Sequence, residues 1–280
     1  TIADWADDFT TWGISGGTCY SGNCPYSICG PSWWCSWPSI YWYDETVNDS
    51  VQNGATNGYV AITSTSQPIV PGRGYFIYHG PNPDTFAVTG GLTSGSNAFT
   101  INLPVSYTTY GRPDDDGWNL VANPYPAPVD WDNSSGWLKT NISPTIWIWN
   151  HNIGDYATYT TGSGGTNGGS RYIASSQAFW VKATGSSPQL QINENAKVVT
   201  GAGSNPDFLK TTQPQKFVPL FFDDFNVAQT GSDTGMYIRL AITSGSYINE
   251  ALIVFNNSAT ENFDINYDAY ELHSDDAPNL

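Results

Sequence analysis

Three consecutive carboxylates, Asp114-Asp115-Asp116, stand between Pro113 and Gly117, and a second acidic stretch, Asp264-x-Asn266-x-Asp268, alternates oxygen-bearing side chains. Hard oxygen ligands at this density suit Ca²⁺ and not Zn²⁺ or Cu²⁺. Asp264, Asn266 and Asp268 are therefore the first candidate calcium ligands, Asp114, Asp115 and Asp116 the second, and Ca²⁺ is the expected cofactor. The second stretch is spaced like the start of a calcium loop, yet Ala269 stands where such a loop turns on glycine, and no helical pattern flanks it. The competing reading is structural: Asp is suited to turns, where its carboxylate bonds nearby backbone amides.

A second chemistry lies in the aromatic residues. Trp33, Trp34, Trp37 and Tyr26 crowd one loop, with Tyr41, Trp42 and Tyr43 close behind. Exposed indole and phenol faces stack on the C–H groups of sugar rings, so these four are the candidate carbohydrate ligands; the alternative is that they fill a core poor in Leu and Met. Neighbouring side chains of an extended segment point oppositely, which makes Trp33 and Trp34 hard to bury as a pair. The same loop holds all four cysteines, Cys19, Cys24, Cys29 and Cys35. Their gaps differ from the Cys-x-x-Cys of zinc knuckles, so disulfides of open connectivity are expected, in an oxidising compartment.

Catalytic patterns are weak. Gly13-Ile14-Ser15-Gly16-Gly17 matches the Gly-x-Ser-x-Gly of a nucleophile elbow, but that turn must link a strand to a helix, and a cysteine loop follows here. The histidines are His79, His151 and His273, none in a His-Glu-x-x-His pattern. A glycosidase needs two carboxylates across a cleft, and among 25 acids no pair stands out. A non-catalytic chain is expected.

The elements that must position these residues are strands. Short β-branched or aromatic runs such as Tyr59–Thr63, Gly74–Tyr78, Ala98–Leu103, Phe179–Ala183 and Met236–Ile242 are bounded by Gly, Asn, Pro and Ser, as in a β-sandwich. No stretch carries a helical period, and the Gly-rich tract 161–170 is a hairpin loop or tip. Charged residues make up only 12% of the 280, and the formal net charge is −16. That surface repels nucleic acid, and no apolar run is long enough for a membrane helix, so neither nucleic acid nor membrane insertion is expected.

Residues 118–126 read Trp-Asn-Leu-Val-Ala-Asn-Pro-Tyr-Pro; a strand runs into a corner that Pro124 and Pro126 bar from continuing as helix or central sheet. Tyr125, between the prolines, is expected to be buried with its hydroxyl bonded to backbone. With Trp147-Ile148-Trp149-Asn150 and Gln177-Ala178-Phe179-Trp180-Val181, this corner closely resembles a module of large secreted Bacteroidota proteins exported by the type IX secretion system, Ala122 replacing their usual glycine. The resemblance implies an extracellular or cell-surface adhesin or structural module, with the export machinery as a partner and a sorting domain beyond Leu280. A carbohydrate-binding module, with surface polysaccharide or another surface protein as partner, is the alternative, and a non-catalytic part of a secreted hydrolase the third.

A weak internal repeat organises the chain. Ile40–Asp44 with Ile69–Ile77 parallels Ile146–Asn150 with Ile173–Val181. An all-β, jelly-roll-like sandwich fold is therefore expected, with related units at 1–112 and 113–205 and a third β unit at 206–280.

Overall fold

The computed structural model describes residues 1–6, 8–9, 11–17, 38–47, 58–78, 100–198, 236–244, 247–256, 258–260, 262–265 and 267–270. They form a nearly all-β, sandwich-like protein of several antiparallel sheets. In chain order the strands are β1 (Ile40–Tyr43), β2 (Tyr59–Ala61), β3 (Phe76–Ile77), β4 (Thr100–Leu103), β5 (Trp118–Ala122), β6 (Val129–Asp130), β7 (Trp137–Thr140) and β8 (Ile142–Asn150). They continue with β9 (Asp155–Thr160), β10 (Gly164–Thr166), β11 (Tyr172–Ile173), β12 (Ala178–Ala183), β13 (Gln189–Asn193), β14 (Met236–Ser244) and β15 (Tyr247–Phe255). A single helical turn, Ala3–Ala6, and a 3₁₀ turn, Glu194–Ala196, interrupt the β pattern.

The central sheet runs β10-β9-β8-β12-β5, and both of its faces are buried. Successive side chains of a strand point to opposite faces. Val121, Ile146, Ile148, Phe179 and Val181 accordingly enter one core, against Trp131, Trp137, Leu190 and Ile192 of the β4-β13-β7 sheet and its surroundings. Trp118, Leu120, Trp147 and Trp180 enter another, against Tyr43, Tyr59 and Phe76 of the β2-β1-β3 sheet. The far side of β2-β1-β3 is closed by Ile2, Phe9 and Ile14, packed with Ile40 and Ile62. Three sheets thus stack as layers of one body.

The aromatic strands that suggested a repeat in the sequence are neighbours in the sheets. In each half the two aromatic strands pair antiparallel, Tyr41 opposite Phe76 and Trp147 opposite Trp180. The halves are also interlocked. Strand β4, from the first unit, pairs with β13 of the second, Ile101 opposite Ile192, and Arg73 bridges to Val121. The Gly-rich tract forms a hairpin whose second arm is β10, and at Gly169 a Cβ would lie 1.8 Å from the Thr158 carbonyl oxygen, so only glycine permits this approach. The β14–β15 hairpin docks here through Glu250, whose carboxylate accepts the Asn167 amide at 2.6 Å and the Arg239 guanidinium at 2.8 Å. Farther on, the Tyr270 carbonyl accepts the indole N–H of Trp147 at 3.0 Å.

The proline corner is organised by Asn123, which is 2% exposed. Its Nδ2 donates to the Ala127 and Ala174 carbonyls at 2.8 and 2.9 Å, and its Oδ1 accepts the Tyr125 amide at 3.0 Å. Tyr125 is fully buried as expected, but its hydroxyl finds no hydrogen-bond partner among the described residues, which corrects the expected backbone bond. Asn123 already satisfies the corner's backbone groups, and the Tyr125 ring is held through its face instead, with Lys197 Nζ 4.4 Å from the centroid. Burial, with a smaller contribution from Glu194, pushes the phenol up to about 12. Because Asn123→Ala strands several buried backbone groups, it should lower stability by about 2–3 kcal/mol. Tyr125→Phe removes an unsatisfied hydroxyl and should leave stability unchanged or slightly raised. Urea denaturation of the two variants checks the ranking; the reverse order would contradict this account of the corner.

Candidate functional site

The acidic turn before β5 is the most elaborate polar arrangement that the described residues present. Gly117 has φ 85°, and a Cβ there would lie 2.2 Å from the Ala183 carbonyl oxygen, so the turn needs glycine on both counts. Asp116 is buried, and its carboxylate accepts the amides of Tyr110, at 3.1 and 3.2 Å, and Arg112, at 3.3 Å. Its main chain, with that of Asp114, faces an ammonium. Lys182, on β12, donates from Nζ to the Asp114 carbonyl at 2.9 Å and to the Asp116 carbonyl at 2.7 Å. The Trp118 and Tyr270 rings lie on either hand, 4.7 and 4.5 Å from Nζ. Lys182 is 3% exposed, and burial pushes its ammonium down to about 8 against the pull of Asp114, Asp116, Asp115 and Glu45.

Glu45, after β1, extends the arrangement across the layers. Its carboxylate accepts the Thr108 amide at 2.6 Å and the Ser106 and Thr108 hydroxyls at 2.9 and 3.0 Å. Asn119 closes the same segment, accepting the Ser106 amide and donating to the Ser106 and Gly117 carbonyls. These groups join the turn after β1, residues 106–119 and β12, and each named oxygen or nitrogen already has a protein partner.

A second polar cluster lies on the other face of the central sheet, beside Trp131 and Tyr159. Arg171 makes a two-point pair with Asp130, at 2.7 and 2.6 Å, and Asp132 accepts the hydroxyls of Tyr159 and Thr161. Between them Lys139 donates to the Trp131 carbonyl at 2.7 Å, its Nζ 3.4 Å from the centre of the Trp131 ring. Burial lowers this ammonium to about 7, against the attraction of Asp132 and Asp130.

Of the residues singled out in the sequence, the described ones are chiefly the acids of two turns. Asp114, Asp115 and Asp116 share one turn, but its inward carbonyls meet Lys182, and Asp115 faces Arg112 at 3.8 Å. Asp264 and Asp268 close a separate turn, in which the Asp268 carboxylate accepts the Asp264 amide at 2.6 Å; Asn266 lies outside the described residues. Among the described residues no group of three or more His, Cys, Asp or Glu is arranged to hold a metal. Trp33, Trp34, Trp37, Tyr26 and the four cysteines lie outside the described residues, as do His79 and His273. His151 is half-buried in the turn after β8. Ser15 sits in a single parallel bridge with Ser64, its amide donating to Thr63 and its carbonyl accepting from Thr65, while Ile14 beside it is buried in the core.

Sequence reasoning passed over Lys182, Lys139 and Glu45. A signal was present for Lys182: a lysine two residues after Trp180, and so on the same face of an otherwise apolar strand, in a chain with only nine basic residues. Glu45 gave none, because its partners are more than sixty residues away.

A family model described as Domain of unknown function (DUF8693) matches residues 34–280, a span that includes all fifteen strands. Neither the curated proteins nor the solved structures yield a match.

Both lysines bind their protons more weakly in the folded protein than in the unfolded chain, where lysine titrates near ~10.4. The unfolded chain therefore holds more protons above about pH 7, and stability should rise from there to about pH 9.5, by a total on the order of 5 kcal/mol. Lys139→Met should remove the part of the rise that begins near pH 7 and leave the part near pH 8 that belongs to Lys182. Denaturant midpoints across this range provide the measurement; a wild-type profile that is flat or falling would contradict the burial of these ammonium groups.

Proposed function

The chain belongs to this family of domains of unknown function, and we propose that it is a non-catalytic, extracellular structural or adhesive module of a large surface protein. The observation that carries the reading is Lys182. In a buried cleft, an ammonium with a lowered pKa beside carboxylates is the arrangement from which acid–base catalysis is built. Here Nζ is engaged by two carbonyls and lies close to two rings, and the Asp116 and Glu45 carboxylates are bound to amides and hydroxyls of neighbouring segments. Such groups join strands, and their carboxylates are occupied by protein donors. The same ammonium takes the place that a cation would take at the Asp114–Asp116 turn, which argues for an internal charge there in preference to Ca²⁺.

Export by the type IX route is supported by the corner at Asn123–Pro126, one of the motifs that carry the resemblance, and an extracellular place by the low share of charged residues. A carbohydrate-binding role is the second reading, and an exposed aromatic favours it: Tyr78, 64% exposed, stands at the end of β3.

Two measurements test the proposal. The purified protein should turn over no glycoside, ester or peptide substrate; turnover lost in a folded Glu45→Gln variant would overturn the non-catalytic reading. In an extracellular module the four cysteines should resist alkylation until reduced. Four thiols modified without reduction, seen by mass spectrometry, would place the chain in a reducing compartment and overturn the extracellular reading.

A further inference from the structure

Tyr78 is the most exposed of the large hydrophobic side chains among the described residues. Its neighbours along the strand, Phe76 and Ile77, pack against two different cores, so strand alternation alone would not leave it outside. Exposing a ring of this size forgoes about 1.5–3 kcal/mol of burial. The ring is also not loose. It lies against Trp12 with centroids 4.9 Å apart and planes inclined at 40°.

The backbone holding this pair is fixed from beneath by Ser39, which is 2% exposed. Ser39 Oγ accepts the Trp12 amide at 3.1 Å, the Ser39 amide donates to the Trp12 carbonyl at 3.1 Å, and the Ser39 carbonyl accepts the Tyr78 amide at 2.8 Å. Trp12 Nε1 is buried, so the indole is seated inward and serves as a fixed backing for the phenol. A rigid aromatic face, supported from behind and open in front, is the form that stacks on the axial C–H groups of a pyranose. With 25 acids against nine bases, the field around it repels uronic acids and sulfated sugars.

We infer that Tyr78, backed by Trp12, is a stacking platform for the ring of a neutral pyranoside. The inference rests on the carbohydrate reading above and gives it a position. It differs from the loop residues Trp33, Trp34, Trp37 and Tyr26 suggested by the sequence.

The test is native affinity electrophoresis of the full chain in gels containing laminarin, xylan or mannan, with alginate as the anionic comparison. At least one neutral polymer should retard the wild type, and alginate should not. Tyr78→Ala should weaken the apparent affinity about tenfold, the loss of one good aromatic contact, while Tyr78→Phe retains it. Unfolding midpoints of both variants should match the wild type, since the ring is exposed. Equal retardation of wild type and Tyr78→Ala would overturn the platform and leave the carbohydrate reading to another surface. No retardation by any polymer would overturn both and leave the structural module standing. Retardation by alginate that Tyr78→Ala abolishes would overturn the preference for neutral sugars.

Discussion

The contact on which the layered body depends is the edge-to-face packing of Trp118, Trp147 and Trp180 on one side of the central sheet. Trp118 meets Trp147 at 4.7 Å and 72°, and Trp180 at 6.3 Å and 89°. Buried indoles of this size each contribute roughly 4–6 kcal/mol of gross transfer free energy. On an outer face of a two-layer sandwich they would form a large exposed apolar patch. The Tyr43, Tyr59 and Phe76 rings of the β2-β1-β3 sheet cover them, Tyr43 touching Trp180 at 4.8 Å and 74°. The first unit therefore has a defined seat on the second, and the residues near Tyr270 close the remaining edge through the Trp147 indole.

Burial on both faces sets the terms for every polar group near the sheet. A charge taken out of water must find partners or neutralise. Lys182 meets this with two carbonyls and two aromatic faces, Glu45 with an amide and two hydroxyls, and Asp116 with two amides. Removing one partner of such a set leaves the other buried and unsatisfied, so the sets enforce register between layers even where their net contribution to stability is small. In a chain with 12% charged residues, uncharged side chains must cover much of the surface. On the proposed reading, that composition favours neutral partners met through an exposed aromatic such as Tyr78.

The β14–β15 hairpin follows the same logic on a smaller scale. One face carries Arg239 and Glu250, which tie it to Gly165 and Asn167 on the glycine hairpin. The opposite face pairs Ile238 with Ile253, both exposed. The polar pair specifies where the hairpin docks, because only the left-handed turn at Asn167, φ 53°, presents its amide to Glu250.

Much of the fold was legible in the sequence. The period-two pattern of Ile146–Trp149 and Phe179–Val181 determined strands with two different faces, and the prolines at 124 and 126 determined a corner. These are local properties, set by side-chain alternation and backbone restriction over a few residues. Tertiary structure alone decided which face met which layer, that β4 would complete the sheet of the other half, and that Lys182 would enter the Asp114–Asp116 turn, 66 residues or more away in the chain. The acids of that turn suggested a cation from the sequence; that the Lys182 ammonium reaches the Asp114 and Asp116 carbonyls is a long-range contact that no local pattern encodes.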